Sequence, residues 1–180
     1  MIKQWKTLSS KILLETSILR VEQKTALNPR NNHECELTTT HFPNWVNVIA
    51  LTETNELVLV RQFRHGTEKV EIEIPGGCID DTDTDPVEAG VRELLEETGY
   101  TGENARLIGK TSPNPAIQGN TCYAVLVENA KCVGDQNLDH GEDIEVFTAS
   151  LDKIHQMVAE GEISHSLVVS ALYFYEKGLS

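Results

Sequence analysis

The densest chemistry in the chain lies in the run Arg92-Glu93-Leu94-Leu95-Glu96-Glu97-Thr98-Gly99-Tyr100. Residues four apart on a helix share a face, so Glu93 and Glu97 stand together with Glu96 beside them. Like charges at that spacing destabilise a bare helix by roughly 0.2–0.5 kcal/mol per pair. A cation among them gives the crowding a purpose, and hard oxygen donors with room for water suit magnesium or manganese. Arg92, four residues before Glu96, can hold that glutamate by an ion pair. On the glutamates alone, the alternative is a solvated acidic helix face. The upstream Pro75-Gly76-Gly77 segment favours the metal reading, because glycines there are free to bring backbone carbonyls near a cation.

A helix must carry these side chains, and the sequence punctuates one over residues 85–99. Asp85 is a good N-cap, Pro86 suits the first helical position, Glu88 completes a capping box and Gly99 is a C-terminal stop. Val87, Val91, Leu94, Leu95 and Thr98 form the expected buried stripe. Ahead of the helix, Trp45–Leu51 and Leu57–Phe63 are apolar runs split by Thr52-Glu53-Thr54-Asn55-Glu56, a hairpin entering a core sheet. Val70–Ile74 is a short strand that ends at Pro75-Gly76-Gly77. Behind it, Thr121–Val127 and Ile144–Thr148 read as strands, and Leu151–Glu160 and His165–Lys177 as helices parted by Gly161. The order implies an α+β protein with a mixed sheet between helices, an α/β/α sandwich. Lys11–Lys24 and Glu34–Phe42 read as strands around the turn Asn28-Pro29-Arg30-Asn31-Asn32. A few strands bury little alone, so residues 1–44 form a small antiparallel β-domain expected to pack on something else, a second subunit included. Residues 45–180 form the main domain.

The bulk numbers are those of an ordinary globular chain, with 39% apolar and 24% charged residues. A net charge of −13, from 28 acidic and 15 basic residues, repels long polyanions, so nucleic acid is not an expected partner. A small anionic substrate needs a local metal ion or arginine to offset that field. Cys35, Cys78, Cys122 and Cys132 lack zinc-site spacing and read as reduced thiols. No apolar run is long enough to span a membrane, and the first residues lack a signal peptide's apolar stretch, so the expected location is cytoplasmic.

The run from Arg92 to Tyr100 resembles the second half of the Nudix box, G-x5-E-x7-R-E-U-x-E-E-x-G-U, where U is a bulky apolar residue. Gly77 matches its opening glycine. Gly77 and Arg92 are separated by one residue more than in the family, so the box's first glutamate has no direct counterpart and Asp83 or Thr84 stands there. The resemblance implies a Nudix fold and diphosphate hydrolysis with Mg2+, or Mn2+. It implies Glu93 and Glu97 as main metal ligands, Glu96 as an additional one, Gly76 offering its carbonyl, and Arg92 orienting a glutamate rather than touching substrate. Metal ions would neutralise the diphosphate, activate a water and stabilise the leaving phosphate.

Three features are similar to the ADP-ribose pyrophosphatase branch: Val60-Arg61-Gln62-Phe63-Arg64, Glu71-Ile72-Glu73-Ile74-Pro75-Gly76-Gly77, and Pro115 soon after the box. That branch implies a nucleoside diphosphate sugar as substrate, with a nucleoside monophosphate and a sugar phosphate as products, and a homodimer formed through the N-terminal β-domain. Arg64 would grip the diphosphate, or face solvent at a strand end. Trp45 would stack on a base, or fill a core. Glu73 would serve substrate, or be a surface carboxylate. The general base would come from the loop Asp139-His140-Gly141-Glu142-Asp143-Ile144-Glu145, with Glu142 first and Asp143, Glu145 and His140 behind it. Ser112–Asn120 departs from the branch, carrying amides where it often has an acid. Gln118 and Asn120 would bind sugar or base, or satisfy their own loop. This widens the expected substrates beyond ADP-ribose to GDP-mannose and other nucleotide sugars. A Nudix hydrolase of nucleoside triphosphates or dinucleoside polyphosphates is the alternative. A non-catalytic nucleotide-binding module is a third reading, against which stand the intact carboxylates from Glu93 to Glu97.

Overall fold

The structure is a computed structural model that describes residues 1–178. It divides into two compact units, one of Met1–Pro43 with Ser112–Thr121 and one of Asn44–Thr111 with Cys122–Ser180. In the first, β1 (Lys6–Glu15), β2 (Arg20–Leu27) and β3 (Glu34–His41) form an antiparallel sheet in the order β1-β2-β3. The strand expected over Lys11–Lys24 is broken at Thr16. The Thr16 hydroxyl accepts the N–H groups of Ile18 and Leu19, and the Thr16 N–H donates to Leu19 O at 2.9 Å. A threonine that offers its own hydroxyl to the backbone competes with the sheet ladder and turns the chain. The Asn28–Asn32 turn lies where its composition places it, with the Asn32 N–H donating to Asn28 O and Asn32 at φ 55°. Strand β1 is exposed along its whole length.

The second unit is built on a seven-stranded mixed sheet. It contains β4 (Trp45–Thr52), β5 (Glu56–Arg64), β6 (Lys69–Glu73), β7 (Gly76–Cys78), β8 (Tyr100–Thr111), β9 (Cys122–Cys132) and β10 (Ile144–Ser150). The path is β10-β5-β4-β9-β8, with β6 on β5 and β7 on β4. Only β4 and β9 run parallel among these pairs. Alternation along each strand divides the core in two. On β5, Leu57 and Leu59 join a cluster with Ile154 and Met157 of α2 (Leu151–Glu160) and Val168 and Leu172 of α3 (Ser166–Lys177). Val58 points the other way, to Ala89 and Leu94 of α1 (Pro86–Thr98). Helices therefore cover both faces, the expected α/β/α sandwich.

Helix α1 begins where its caps say it should. The Asp85 carboxylate accepts from the N–H groups of Val87 and Glu88, and Gly99 closes the helix at φ 72°, a left-handed conformation that costs glycine little. Glu88 reaches back to the N–H and hydroxyl of Thr84 rather than to its own N-cap residue. The buried face is Ala89, Gly90, Leu94, Glu97 and Thr98, and Leu95 is exposed. One residue is about 100° of helical rotation, so placing Leu94 under the sheet carries Leu95 outward. Pro75-Gly76-Gly77, expected to end a strand, also starts a new one, since Gly76–Cys78 pairs with Asn47, Val46 and Trp45 of β4. His165, expected inside the last helix, is the residue before its first turn. Strand β8 has no counterpart among the expected elements. Three register shifts against β9 break the alternation that would have marked it.

Candidate active site

The box helix α1 presents its carboxylates to the β7 segment. The Gly76 N–H donates to Glu97 Oε2 at 2.9 Å. Gly77 lies so close to Glu93 that a β-carbon there would fall 2.6 Å from its carboxyl carbon. A side chain at Gly76 would strike the Val46 carbonyl, and one at Gly77 would have to displace the Glu93 carboxylate, so both glutamates pack against bare glycine backbone. Burial pushes the Glu93 carboxyl up to about 7, with Glu96 and Glu142 adding to the rise against the pull of Arg92. Burial pushes Glu97 up to about 8, with Glu93 and Glu142 again adding and the Gly76 N–H and Arg64 opposing. Such mutually repelling carboxylates are held at a position that favours a compensating cation. As placed, no three His, Cys, Asp or Glu side chains among the described residues form a ready-made metal cage. Glu96 is turned onto Arg92, at 2.9 Å. The donor chemistry of Glu93 and Glu97, with space left for water, fits a magnesium-type ion.

Arg92 has all five of its N–H donors engaged. Nε and Nη2 form a two-bond fork on Asp83 at 3.0 and 2.9 Å, Nη1 donates to Glu93 and Glu96, and Nη2 also reaches Cys78 O. Of Asp83 and Thr84, the two residues that stand where the box has its first glutamate, Asp83 bonds Arg92 and Thr84 bonds Glu88. The Asp83 loop is held by the Asp83 N–H donating to Asp80 O and the Asp80 N–H donating to the Asp83 carboxylate. The Arg92 fork in turn lowers the Asp83 carboxyl below its ordinary value.

A cavity of about 690 Å³ opens beside these residues, lined among others by Trp45, Asn47, Arg64, Glu73, Gly76 and His165. Arg64 makes a fork to Glu73 at 2.9 and 2.6 Å, and His165 Nδ1 stands 3.5 Å from the same carboxylate. Glu73 is 4% exposed, a buried residue and not a surface one. Burial alone would raise its carboxyl, but the bonds from Arg64 and His165 outweigh it and hold the group at about 2. Trp45 is half-buried at the cavity wall, opposite Cys78 in the strand register. Asn47 Nδ2 is buried there without a hydrogen-bond partner among the described residues. Asn47 was not singled out from sequence, although a lone amide in the apolar strand Trp45–Leu51 is a legible anomaly. His165 carried no signal beyond its place as the first residue of the last expected helix.

Among the loop candidates for a base, Glu142 is exposed and its charge is felt at Glu93, Glu97 and Arg64. Its carboxylate accepts the Asp139 N–H at 2.9 Å. Glu145 lies on β10 and pairs with Arg61 across the strands at 2.9 Å. His140 and Asp143 are exposed. Gln118 and Asn120 fall in the other unit. There Gln118 Nε2 donates to Asn120 Oδ1 at 3.0 Å and Asn120 Nδ2 to Pro43 O at 3.1 Å, so the two amides engage each other and their own unit's backbone.

A NUDIX domain profile matches residues 41–170. An ADP-ribose pyrophosphatase of Bacillus subtilis (strain 168) is 27% identical over 135 residues, 74% of this chain and 72% of that protein. A methanol dehydrogenase activator of Bacillus methanolicus is 30% identical over 135 residues, with the same shares covered. In fold, the chain is similar to the crystal structure of an ADP compounds hydrolase, with a TM-score of 0.87 at 20% identity, over 99% of this chain and 96% of that one. The matched profile spans well over half of the chain, and with the fold and the box helix in place the chain belongs to the NUDIX family, as a Nudix hydrolase.

Proposed function

We propose that the chain hydrolyses the diphosphate of nucleoside diphosphate sugars, ADP-ribose first and GDP-mannose among the others, to a nucleoside monophosphate and a sugar phosphate. The observation that carries this reading is Arg64, held in plane by buried Glu73 at the wall of one cavity whose lining also includes Gly76 and Gly77, the two glycines that touch Glu97 and Glu93. The name of the Bacillus subtilis relative, an ADP-ribose pyrophosphatase, supports the substrate class.

In this reading Glu93 and Glu97 hold magnesium or manganese, with Glu96 joining once it leaves Arg92 and Gly76 lending its carbonyl. The metal supplies charge neutralisation of the diphosphate and acidification of a water. Arg64 donates its remaining N–H groups to a non-bridging phosphate oxygen while Glu73 fixes the plane of its guanidinium. Glu142 leaves the Asp139 N–H and takes a proton from the water that attacks phosphorus, as the bridging P–O bond breaks toward the departing phosphate. Trp45 stacks on the base, and Asn47 offers its buried N–H to a sugar or phosphate oxygen. Gln118 and Asn120 contribute to substrate binding only if they exchange their present partners.

We also propose that residues 1–44 serve homodimerisation. Leu8, Ile12, Leu13 and Leu14 of β1 are each 42–53% exposed, an apolar row that a second copy would cover. Sedimentation at micromolar protein gives the size. No helix among the described residues is long and apolar enough to cross a membrane. All four cysteines are free thiols, in keeping with a cytoplasmic setting.

The test is product release from ADP-ribose, GDP-mannose, UDP-glucose, ATP and a dinucleoside tetraphosphate, each with magnesium and with chelator. Metal-dependent cleavage of the diphosphate sugars alone is expected. Cleavage confined to the triphosphate or tetraphosphate would overturn the substrate class and keep the Nudix chemistry.

A further inference from the structure

The last four carbonyls of an α-helix have no partner inside the helix. In α1 they are Leu95, Glu96, Glu97 and Thr98, at the end that carries the Glu97 carboxylate. Leu95 O accepts from the Gly99 N–H at 2.8 Å, a bond local to the C-cap. The next two find partners far along the chain, in the segment that follows β9. The Asn137 N–H donates to Glu96 O at 2.9 Å, and Gln136 Nε2 donates to Glu97 O at 2.6 Å. The same Nε2 also donates to Ile144 O at 3.0 Å. Ile144 is the first residue of β10 and lies just beyond the loop that holds Glu142. One side-chain amide thus closes the neck of the 137–143 loop and ties that neck to the end of the box helix. Gly99 admits the approach, because a β-carbon at that position would strike the Gly134 carbonyl. The Val133 N–H adds a bond to Gly99 O at 2.8 Å.

Within the loop, the bonds are local. Glu142 and Asp139 exchange two, Asp139 N–H to the carboxylate and Glu142 N–H to Asp139 O, and the tip is solvent-exposed. The loop is therefore free at its tip and fixed at its base. That combination suits a side chain that must swing while its reach toward Glu93 and Glu97 stays constant.

We propose that Gln136 is a positioning residue of the reaction: by bridging Glu97 O and Ile144 O it sets the distance from Glu142 to the Glu93–Glu97 carboxylates. It acts through Glu142 and so rests on the reading of Glu142 as the base. Apart from these two bonds the Gln136 side chain is exposed to solvent.

The test is a double-mutant cycle on ADP-ribose hydrolysis with magnesium, in full-length protein. Q136A should lower kcat about tenfold with KM changed less than about twofold, and in an E142Q background it should lower kcat less than about twofold. Q136E, the same length but with a carboxylate facing two carbonyls, should reproduce Q136A. Amide hydrogen exchange of residues 137–143 should quicken in Q136A, while α1 and the sheet keep their protection. If Q136A costs the same factor in both backgrounds, or exchange in the loop is unchanged, Gln136 does not position Glu142. If E142Q alone turns over at the parent rate, the base is elsewhere and this role for Gln136 falls with it. A slow E142Q with an additive Q136A overturns only the role of Gln136.

Discussion

Arg92 and Arg64 each lay a two-bond fork on a carboxylate, yet they differ in what they have left. Arg92 is enclosed by Asp83, Glu93, Glu96 and the Cys78 carbonyl, with every N–H engaged. Arg64 donates two N–H groups to Glu73, and its other three have no partner among the described residues while the side chain lines the cavity. A saturated guanidinium is architecture. A half-used one, locked in plane by a buried carboxylate, has donors left for phosphate oxygens, the role proposed for Arg64. In the proposed reading the two arginines also divide the acidic field of the site, one restraining the carboxylates of α1 and the other facing the substrate they must not repel.

That division has meaning only if the carboxylates near Arg92 carry the reaction, so the first variant tests them. E97Q keeps an oxygen for the Gly76 N–H and should fold, but it should lose more than about 100-fold in kcat, beyond the 10–100-fold typical of residues that only support a ligand. Circular dichroism checks the fold, and a parent-like rate would remove Glu97 from the site. R92K comes next. Lysine cannot make the fork, so Asp83, Glu93 and Glu96 lose a shared partner. Stability should drop by about 1–3 kcal/mol in urea melts, and kcat should fall more than KM rises. R64K should show the opposite split. The ammonium can still neutralise Glu73, so stability holds, while KM for ADP-ribose rises about tenfold for want of a bidentate donor. If R92K moved KM and R64K moved stability, the contrast between the two arginines would be reversed.

A pH experiment sharpens the Arg64 half. The Glu73 carboxyl is held at about 2 in the folded chain against an ordinary 4.5. The unfolded chain therefore takes up the proton first. The stability this pair contributes is present in full above about pH 4.5 and is lost as pH falls toward 2. Urea midpoints measured from pH 5 to pH 3 should fall less steeply for E73Q than for the parent chain. Parallel curves would show that Glu73 gains nothing from Arg64 and His165.

How much of this was legible in sequence follows from the range of each interaction. Helix α1 was readable to the residue because its caps are local: Asp85, Pro86 and Gly99 act within a turn of where they stand. The shared face of Glu93 and Glu97, and the Arg92–Glu96 pair, follow from helical spacing. The missing first glutamate was visible as a one-residue surplus, but that Asp83 would meet Arg92 depended on the course of the loop. Strand β8 was missed because its bulges erase alternation, and the Thr16 turn was missed because a hydroxyl competing for backbone bonds leaves no periodic mark. Asn47 stands at the wall of a cavity, His165 meets Glu73 from a distant helix and Gln136 meets Glu97 from 39 residues along the chain, where no spacing rule reaches. Glu73 could be paired with Arg64 only once β5 and β6 were in register, with Val60 opposite Glu73 and Arg64 opposite Lys69.

The smallest expected effect belongs to a third arginine, which supplies the baseline for the other two. Arg61 donates to Glu145 at 2.9 Å and lies 3.9 Å over the ring of Phe147, so it too has a carboxylate and a well-defined place. Glu145 is 69% exposed at its side chain, however, and water screens the pair. Removing the guanidinium in R61A should cost below about 1 kcal/mol, most of it from the lost stacking on Phe147. Turnover of ADP-ribose should stay within about twofold of the parent, as for other surface changes remote from a site. A carboxylate partner alone would then be shown not to mark an arginine as functional. What separates Arg92 and Arg64 from Arg61 is enclosure, by four acceptors in one case and by a cavity wall in the other. A large loss in R61A would erase that distinction and extend the working surface of the enzyme across β5 to the β10 edge.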